Sequence, residues 1–88
     1  MLDNYLLYNT WPCLDLHGYD RESARVAVED FIRDNVKMKN EYIAIIHGIG
    51  TGLVKDSVLN TLKKNKYVKE YKLTFVNPGM TVVKLDVL

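Results

Sequence analysis

Eighty-eight residues, 48% apolar and 26% charged with a formal net charge of +1, describe one ordinary globular domain near the lower size limit for folding without covalent staples. They exclude a disordered, fibrous or strongly basic chain. The single cysteine, Cys13, excludes an internal disulfide and fits a cytoplasmic address, and with no apolar run near the roughly 20 residues that span a bilayer, no membrane partner is expected.

Residues 1–12, MLDNYLLYNTWP, have no basic start and carry Asp3 and Asn4 before a short apolar run, so they read as an N-terminal arm and not as a signal peptide. Leu6, Leu7, Tyr8 and Trp11 are expected to pack onto the domain formed by residues 13–88. A second reading makes Tyr5, Tyr8 or Trp11 a platform for a stacked base or a second subunit. Cys13-Leu14-Asp15-Leu16-His17 alternates across an extended segment ending at Gly18, which predicts a first strand. Asp20 then caps a predicted helix whose apolar positions Ala24, Ala27, Val28, Phe31, Ile32 and Val36 recur at three- and four-residue steps, fading between Asn35 and Asn40.

Tyr42–Ile46 is a continuous apolar run, the mark of a central strand covered on both faces, and it delivers His47 to its C-terminal end. Val54, Val58, Leu59 and Leu62 predict a second helix closed by Lys63, Lys64, Asn65 and Lys66. Tyr71, Leu73 and Phe75 alternate with Lys72, Thr74 and Val76, and Val83, Leu85 and Val87 with Lys84 and Asp86. The turn Asn77-Pro78-Gly79 between these two segments predicts a hairpin. The expected fold is α/β: a single two-layer sandwich, β-α-β-α-β-β, with a mixed sheet and two helices. The first two strands are expected to be parallel neighbours whose C-terminal ends share the edge where open α/β sheets bind ligands.

That edge holds the candidate chemistry. Asp15 and His17, two apart on an extended strand, would project from the same face about 7 Å apart, and His47 would lie within several ångströms. Gly48, Gly50 and Gly52 let backbone amides approach a ligand, the following helix adds its positive dipole end, Thr51 offers a hydroxyl and Lys55 a point charge, so a phosphate fits. Lys55 follows Val54 and precedes Asp56, which is not a Walker loop, and Leu53 stands where the dinucleotide fingerprint needs its third glycine. Duller roles remain open: Asp15 as a loop cap, the glycines as turn residues only, and Lys63, Lys64 and Lys66 as dipole compensation. Residues 1–50 carry five Lys/Arg against eight Asp/Glu and residues 51–88 seven lysines against three acids, so the second half has the charge to meet phosphate.

LDLHG at 14–18, Glu22-Ser23-Ala24, IIHGIGTGLVK at 45–55 and PGMTVVKL at 78–85 together resemble the Smr (small MutS-related) domain, over Leu14 to Leu85. The resemblance implies an α/β sandwich similar to the C-terminal domain of a bacterial translation initiation factor. It also implies an endonuclease acting on DNA or RNA, in DNA repair or ribosome quality control, here as a stand-alone monomer without a targeting module. The family's Asp-x-His falls on Asp15 and His17, and its His-Gly-x-Gly-x-Gly on His47, Gly48, Gly50, Thr51 and Gly52. Ile49 stands where many members have lysine and Lys55 where many have arginine, which removes a charge and a bidentate phosphate fork from the loop.

The expected mechanism holds the scissile phosphate on the Gly48–Gly52 amides and Lys55, with His17 as general base or acid, Asp15 orienting it and His47 donating to the phosphate or leaving oxygen. RNA would supply its own 2′-hydroxyl nucleophile. DNA would require a water activated by a divalent metal, magnesium or manganese, for which Asp15, His17 and His47 have the ligand types. The alternative is a non-catalytic module gripping nucleic acid, the ribosome or a repair protein through the same loop. A third reading is an interaction domain using Tyr5, Tyr8 and Trp11.

Overall fold

The computed structural model describes residues 10–50, 52–74 and 78–87. The chain runs β1 (Cys13–Asp15), α1 (Arg21–Lys37), β2 (Tyr42–Ile46), α2 (Leu53–Lys64), β3 (Val68–Leu73) and β4 (Met80–Leu85). The strands form one mixed sheet in the order β1-β2-β4-β3. β1 and β2 are parallel neighbours, as the sequence implies, and β4 is antiparallel to both β2 and β3.

Asp20 caps α1. Its carboxylate accepts from the Ser23 amide at 2.8 Å, and the Ser23 hydroxyl accepts in return from the Asp20 amide at 3.2 Å, a complete capping box. The apolar stripe behaves as its spacing requires: Ala24, Val28 and Ile32 are fully buried, with Ala27, Phe31 and Val36 packed beside them. Arg25 on the outer face pairs with Glu22 and Glu29. At the far end buried Asn35 donates to the Phe31 carbonyl at 2.8 Å and accepts from Asn40 Nδ2 at 2.9 Å, tying the last turn of the helix to the loop that leaves it.

Both helices cover one face of the sheet, where Ile43, Ile45, Val83 and Leu85 meet Leu16, Val28, Ile32, Val58 and Leu62. On the opposite face Ala44, Val82 and Met80 form a smaller cluster with Trp11 and Tyr42 packed against it. Trp11 stacks on Tyr42 with ring centroids 5.0 Å apart, so this end of the arm lies on the domain. Leu6, Leu7, Tyr5 and Tyr8 fall outside the described residues, as do Phe75, Val76 and Asn77 of the expected hairpin.

Three strand boundaries differ from expectation. β1 stops at Asp15 instead of His17, because the Asp15 carboxylate accepts the His17 amide at 3.0 Å and the Tyr19 amide bonds the Leu16 carbonyl at 3.0 Å, closing a turn. β3 begins at Val68 and β4 at Met80, each three residues earlier than the alternating pattern suggests. Met80–Val83 is buried on both faces, so it carries no polar alternation to mark its start. Among the described residues no helix is long and apolar enough to cross a membrane.

Candidate functional site

Parallel pairing brings Asp15 of β1 opposite Ile46 of β2, and the residues that follow both strands therefore emerge side by side. One cleft of about 330 Å³ is lined by Asp15, His17, His47, Gly48 and Gly50, together with Tyr19 and Val54. A smaller hollow of about 90 Å³ lies against it, between His47, the three loop glycines and Lys55. The sequence-derived constellation thus shares one place in the fold. Thr51 lies outside the described residues.

The members differ sharply in environment. Asp15 and His17 are exposed. They are not neighbours on one strand face: His17 sits in the turn beyond β1, and the Asp15 carboxylate holds the backbone of that turn through the His17 amide. The duller reading of Asp15 as a loop cap is therefore realised, and its carboxylate retains further lone pairs toward the cleft.

His47 is buried, 8% exposed. Its Nδ1 lies 2.9 Å from the Gly48 carbonyl oxygen and its Nε2 2.8 Å from Thr81 Oγ1. A carbonyl only accepts, so Nδ1 carries the proton and donates, and Nε2 accepts from the Thr81 hydroxyl: a neutral imidazole with both nitrogens used. Burial pushes its pKa below the ordinary histidine value, with the positive charge of Lys55 acting the same way against the opposing bond to Gly48. The role expected for His47, donating to a phosphate or leaving oxygen, would first break one of these bonds, which here pin the start of the glycine loop.

The pin extends to the backbone, where the amides of His47 and Gly48 both donate to the Gly79 carbonyl at 2.9 Å. Gly48 is thus removed from the expected cradle of amides, leaving the loop from Gly50 onward and the first turn of α2. Gly52 is the N-cap of α2 with φ +86°, and among the described residues no side chain caps this helix end. A helix N-terminus directs the positive end of its dipole at whatever enters the hollow. Lys55 lines that hollow.

Of the three residues with metal-ligand chemistry, Asp15 and His17 are exposed in the cleft and His47 is engaged within the protein. Both His47 nitrogens are occupied, and among the described residues no three His, Cys, Asp or Glu side chains form a metal-holding group. Thr81 and Gly79 escape sequence reasoning, although Thr81 leaves a mark as a polar residue inside the apolar run Met80–Val83. Tyr19 also escapes it, since its importance depends on what α2 places beside it.

With this geometry the chain can be set beside known proteins. The family model described as the Smr domain matches residues 14–86. The chain belongs to the Smr domain family. Among curated relatives, the Endonuclease MutS2 of Ligilactobacillus salivarius is 40% identical over 68 residues, covering 77% of this chain and 9% of that protein. The Endonuclease MutS2 of Staphylococcus saprophyticus is 39% identical over 75 residues, covering 82% of this chain and 10% of that protein. The chain therefore spans about a tenth of the length of these relatives.

Among solved structures, the Smr domain of Thermus thermophilus MutS2 superposes with a TM-score of 0.81 at 23% identity, over 84% of this chain and 96% of that one. The stand-alone small MutS-related protein YdaL from Escherichia coli gives 0.80 at 21% identity, over 97% of this chain and 76% of that one. Both likenesses show the Smr fold: two helices on a four-stranded mixed sheet.

Proposed function

We propose that this Smr domain is a nucleic-acid endonuclease that seats a backbone phosphate in the hollow at the N-terminus of α2 and cleaves beside it with His17. One observation carries the reading: exposed Asp15 and His17 line the same cleft as Gly50, and that cleft adjoins the hollow formed by Gly52 and Lys55. The MutS2 relatives that share this sequence are named as endonucleases, which supports the same class.

RNA is the substrate whose chemistry these residues can complete, because it brings its own nucleophile. The His17 imidazole takes the proton from the 2′-hydroxyl as that oxygen attacks phosphorus. The P–O5′ bond breaks, giving a 2′,3′-cyclic phosphate, and the 5′ oxygen leaves as a hydroxyl after taking a proton from water in the open cleft. The charge that develops on the phosphoryl oxygens meets Lys55 and the amides of the α2 first turn. Asp15 holds the turn that carries His17 and sets where the imidazole stands. His47 holds the loop and does not exchange protons with substrate.

The test is cleavage of end-labelled single-stranded RNA, duplex DNA and branched DNA in magnesium, manganese or excess chelator, with His17→Ala and His47→Gln beside the unaltered chain. The expected result is RNA cleavage that survives chelator, ends in cyclic phosphate, disappears in His17→Ala and persists in His47→Gln wherever that variant is folded. Equal cleavage by His17→Ala, or no cleavage of any substrate, would overturn the catalytic assignment. The engagement of both His47 nitrogens leaves His17 without His47 as a partner acid and favours one second reading, a module that binds nucleic acid or the ribosome without turnover. That reading predicts binding that Lys55→Gln weakens, with no cleavage.

A further inference from the structure

The cleft opens onto a second hollow that the phosphate chemistry does not use. This hollow, about 480 Å³, lies between the N-termini of the two helices and is lined by Tyr19, Asp20, Arg21, Glu22, Leu53 and Val54. Tyr19 and Val54 are common walls, so the two spaces adjoin. Tyr19 is 40% exposed and Leu53 52%, while Ile49, 71% exposed, stands between the two loop glycines that line the cleft. Large apolar side chains gathered in the open around one concavity mark a contact surface, where single scattered ones would mean nothing.

The Tyr19 ring rides on a braced turn, because the Tyr19 amide donates to the Leu16 carbonyl and Leu16 is itself buried. The polar rim is also informative. The Asp20 carboxylate is spent on Ser23 and the Glu22 carboxylate on Arg25, whereas the Arg21 guanidinium forms no ion pair among the described residues. An aromatic face with apolar sides and an uncommitted cation at the edge, one wall away from a phosphate seat, is the set of groups that binds single-stranded nucleic acid: a surface for a base and a charge for the backbone.

We infer that the hollow takes the base of the nucleotide next to the seated phosphate, stacked on Tyr19 beside Leu53 and Val54, with Arg21 reaching the following phosphate. The inference rests on the phosphate reading of the adjacent cleft and narrows it. A base locked in a continuous duplex stack cannot turn its face to Tyr19, so the ligand is a single strand or an unstacked nucleotide in a loop, bulge or junction.

The test is fluorescence anisotropy of the full chain with three probes resistant to 2′-hydroxyl attack: a 2′-O-methyl single strand, its blunt duplex, and an oligomer of abasic nucleotides that carries phosphates without bases. Tyr19→Ala is expected to weaken single-strand binding about tenfold while leaving the abasic oligomer unchanged, and Tyr19→Phe is expected to keep the affinity. The duplex is expected to bind more weakly than the single strand. If Tyr19→Ala binds the single strand as well as the unaltered chain does, or if the duplex binds as tightly, the base pocket is overturned while the phosphate seat stands. If the abasic oligomer and the single strand both fail to bind, both readings fall. If Tyr19→Ala instead converts a sedimenting dimer into a monomer, the apolar surface joins two copies of this chain and the base pocket is overturned.

Discussion

Replacing Thr81 with valine tests whether His47 is a pin or a catalyst. Valine keeps the branched shape and removes the one hydroxyl that donates to His47 Nε2. Thr81 is fully buried and His47 nearly so, which leaves little room for water to replace the lost donor. The Nε2 lone pair then remains buried and unsatisfied, at a cost of about 1–3 kcal/mol. For a domain of this size each kcal/mol is about 4–8 °C in melting temperature. The direction of the pH dependence follows from the lowered pKa of His47. The unfolded chain takes up the proton first as pH falls, so the stability that neutral His47 contributes is complete above the ordinary histidine value of about 6.5. It is lost as pH falls from there toward the lower folded-state value, and then levels off. Burial, the first cause of the lowered value, persists in Thr81→Val, so the acid loss should not grow in the variant. Urea midpoints at pH 8 and pH 5.5 for both proteins provide the assay. Equal midpoints at pH 8, or an acid loss larger in the variant, would refute the pin.

The glycine loop and the arm yield further outcomes. Gly48→Ala and Gly52→Ala place a side chain at φ +78° and +86°, a conformation that costs about 1–2 kcal/mol, and both should melt lower. Gly50 has no positive φ, and a methyl there meets nothing within 4 Å. Gly50→Ala should therefore melt within about 0.5 kcal/mol of the unaltered chain and still bind a single strand more weakly, and unchanged binding would show that the ligand backbone does not pass close to it. Trp11→Ala removes the stack on Tyr42, worth about 0.5–1.5 kcal/mol beyond its burial. Its melting temperature should fall by at least about 4 °C, with Trp11→Phe recovering most of the loss in a thermal melt followed by circular dichroism.

Local chemistry was the legible part of the fold. The α1 stripe, the Asp20 cap, the central strand Tyr42–Ile46 and the parallel pairing of the first two strands could be read because each is written within a few residues as a period or a capping signal. The starts of β3 and β4 were not readable. Val68 opens β3 ahead of two charged residues, and β4 is a central strand with both faces buried, so neither carries a clean alternation. The site shows the same division. Asp15, His17 and His47 could be gathered from strand order alone, but the bond that holds His47 Nε2 reaches Thr81, 34 positions away. A periodic or motif-based reading cannot register a hydroxyl that arrives from the other end of the sheet. Tyr19 stayed hidden for a related reason: an aromatic after a glycine turn is ordinary until Leu53 and Val54 stand opposite it.

The chain's two histidines stand in different environments according to where the backbone leaves them. His47 follows the central strand directly, inside the end of the sheet, where desolvation holds it neutral and two fixed acceptor and donor groups consume its nitrogens. An imidazole so held can rigidify the start of the glycine loop, which needs its geometry set before an anion arrives if the loop amides are to stabilise charge without reorganising. It cannot also shuttle protons without releasing the loop it holds. His17 stands on an exposed turn whose backbone is fixed by Asp15, leaving the side chain open to solvent, and the proposed function gives it the proton transfer. The proposed function therefore sets the rigid histidine beside the proposed phosphate seat and the open one in the cleft that adjoins it.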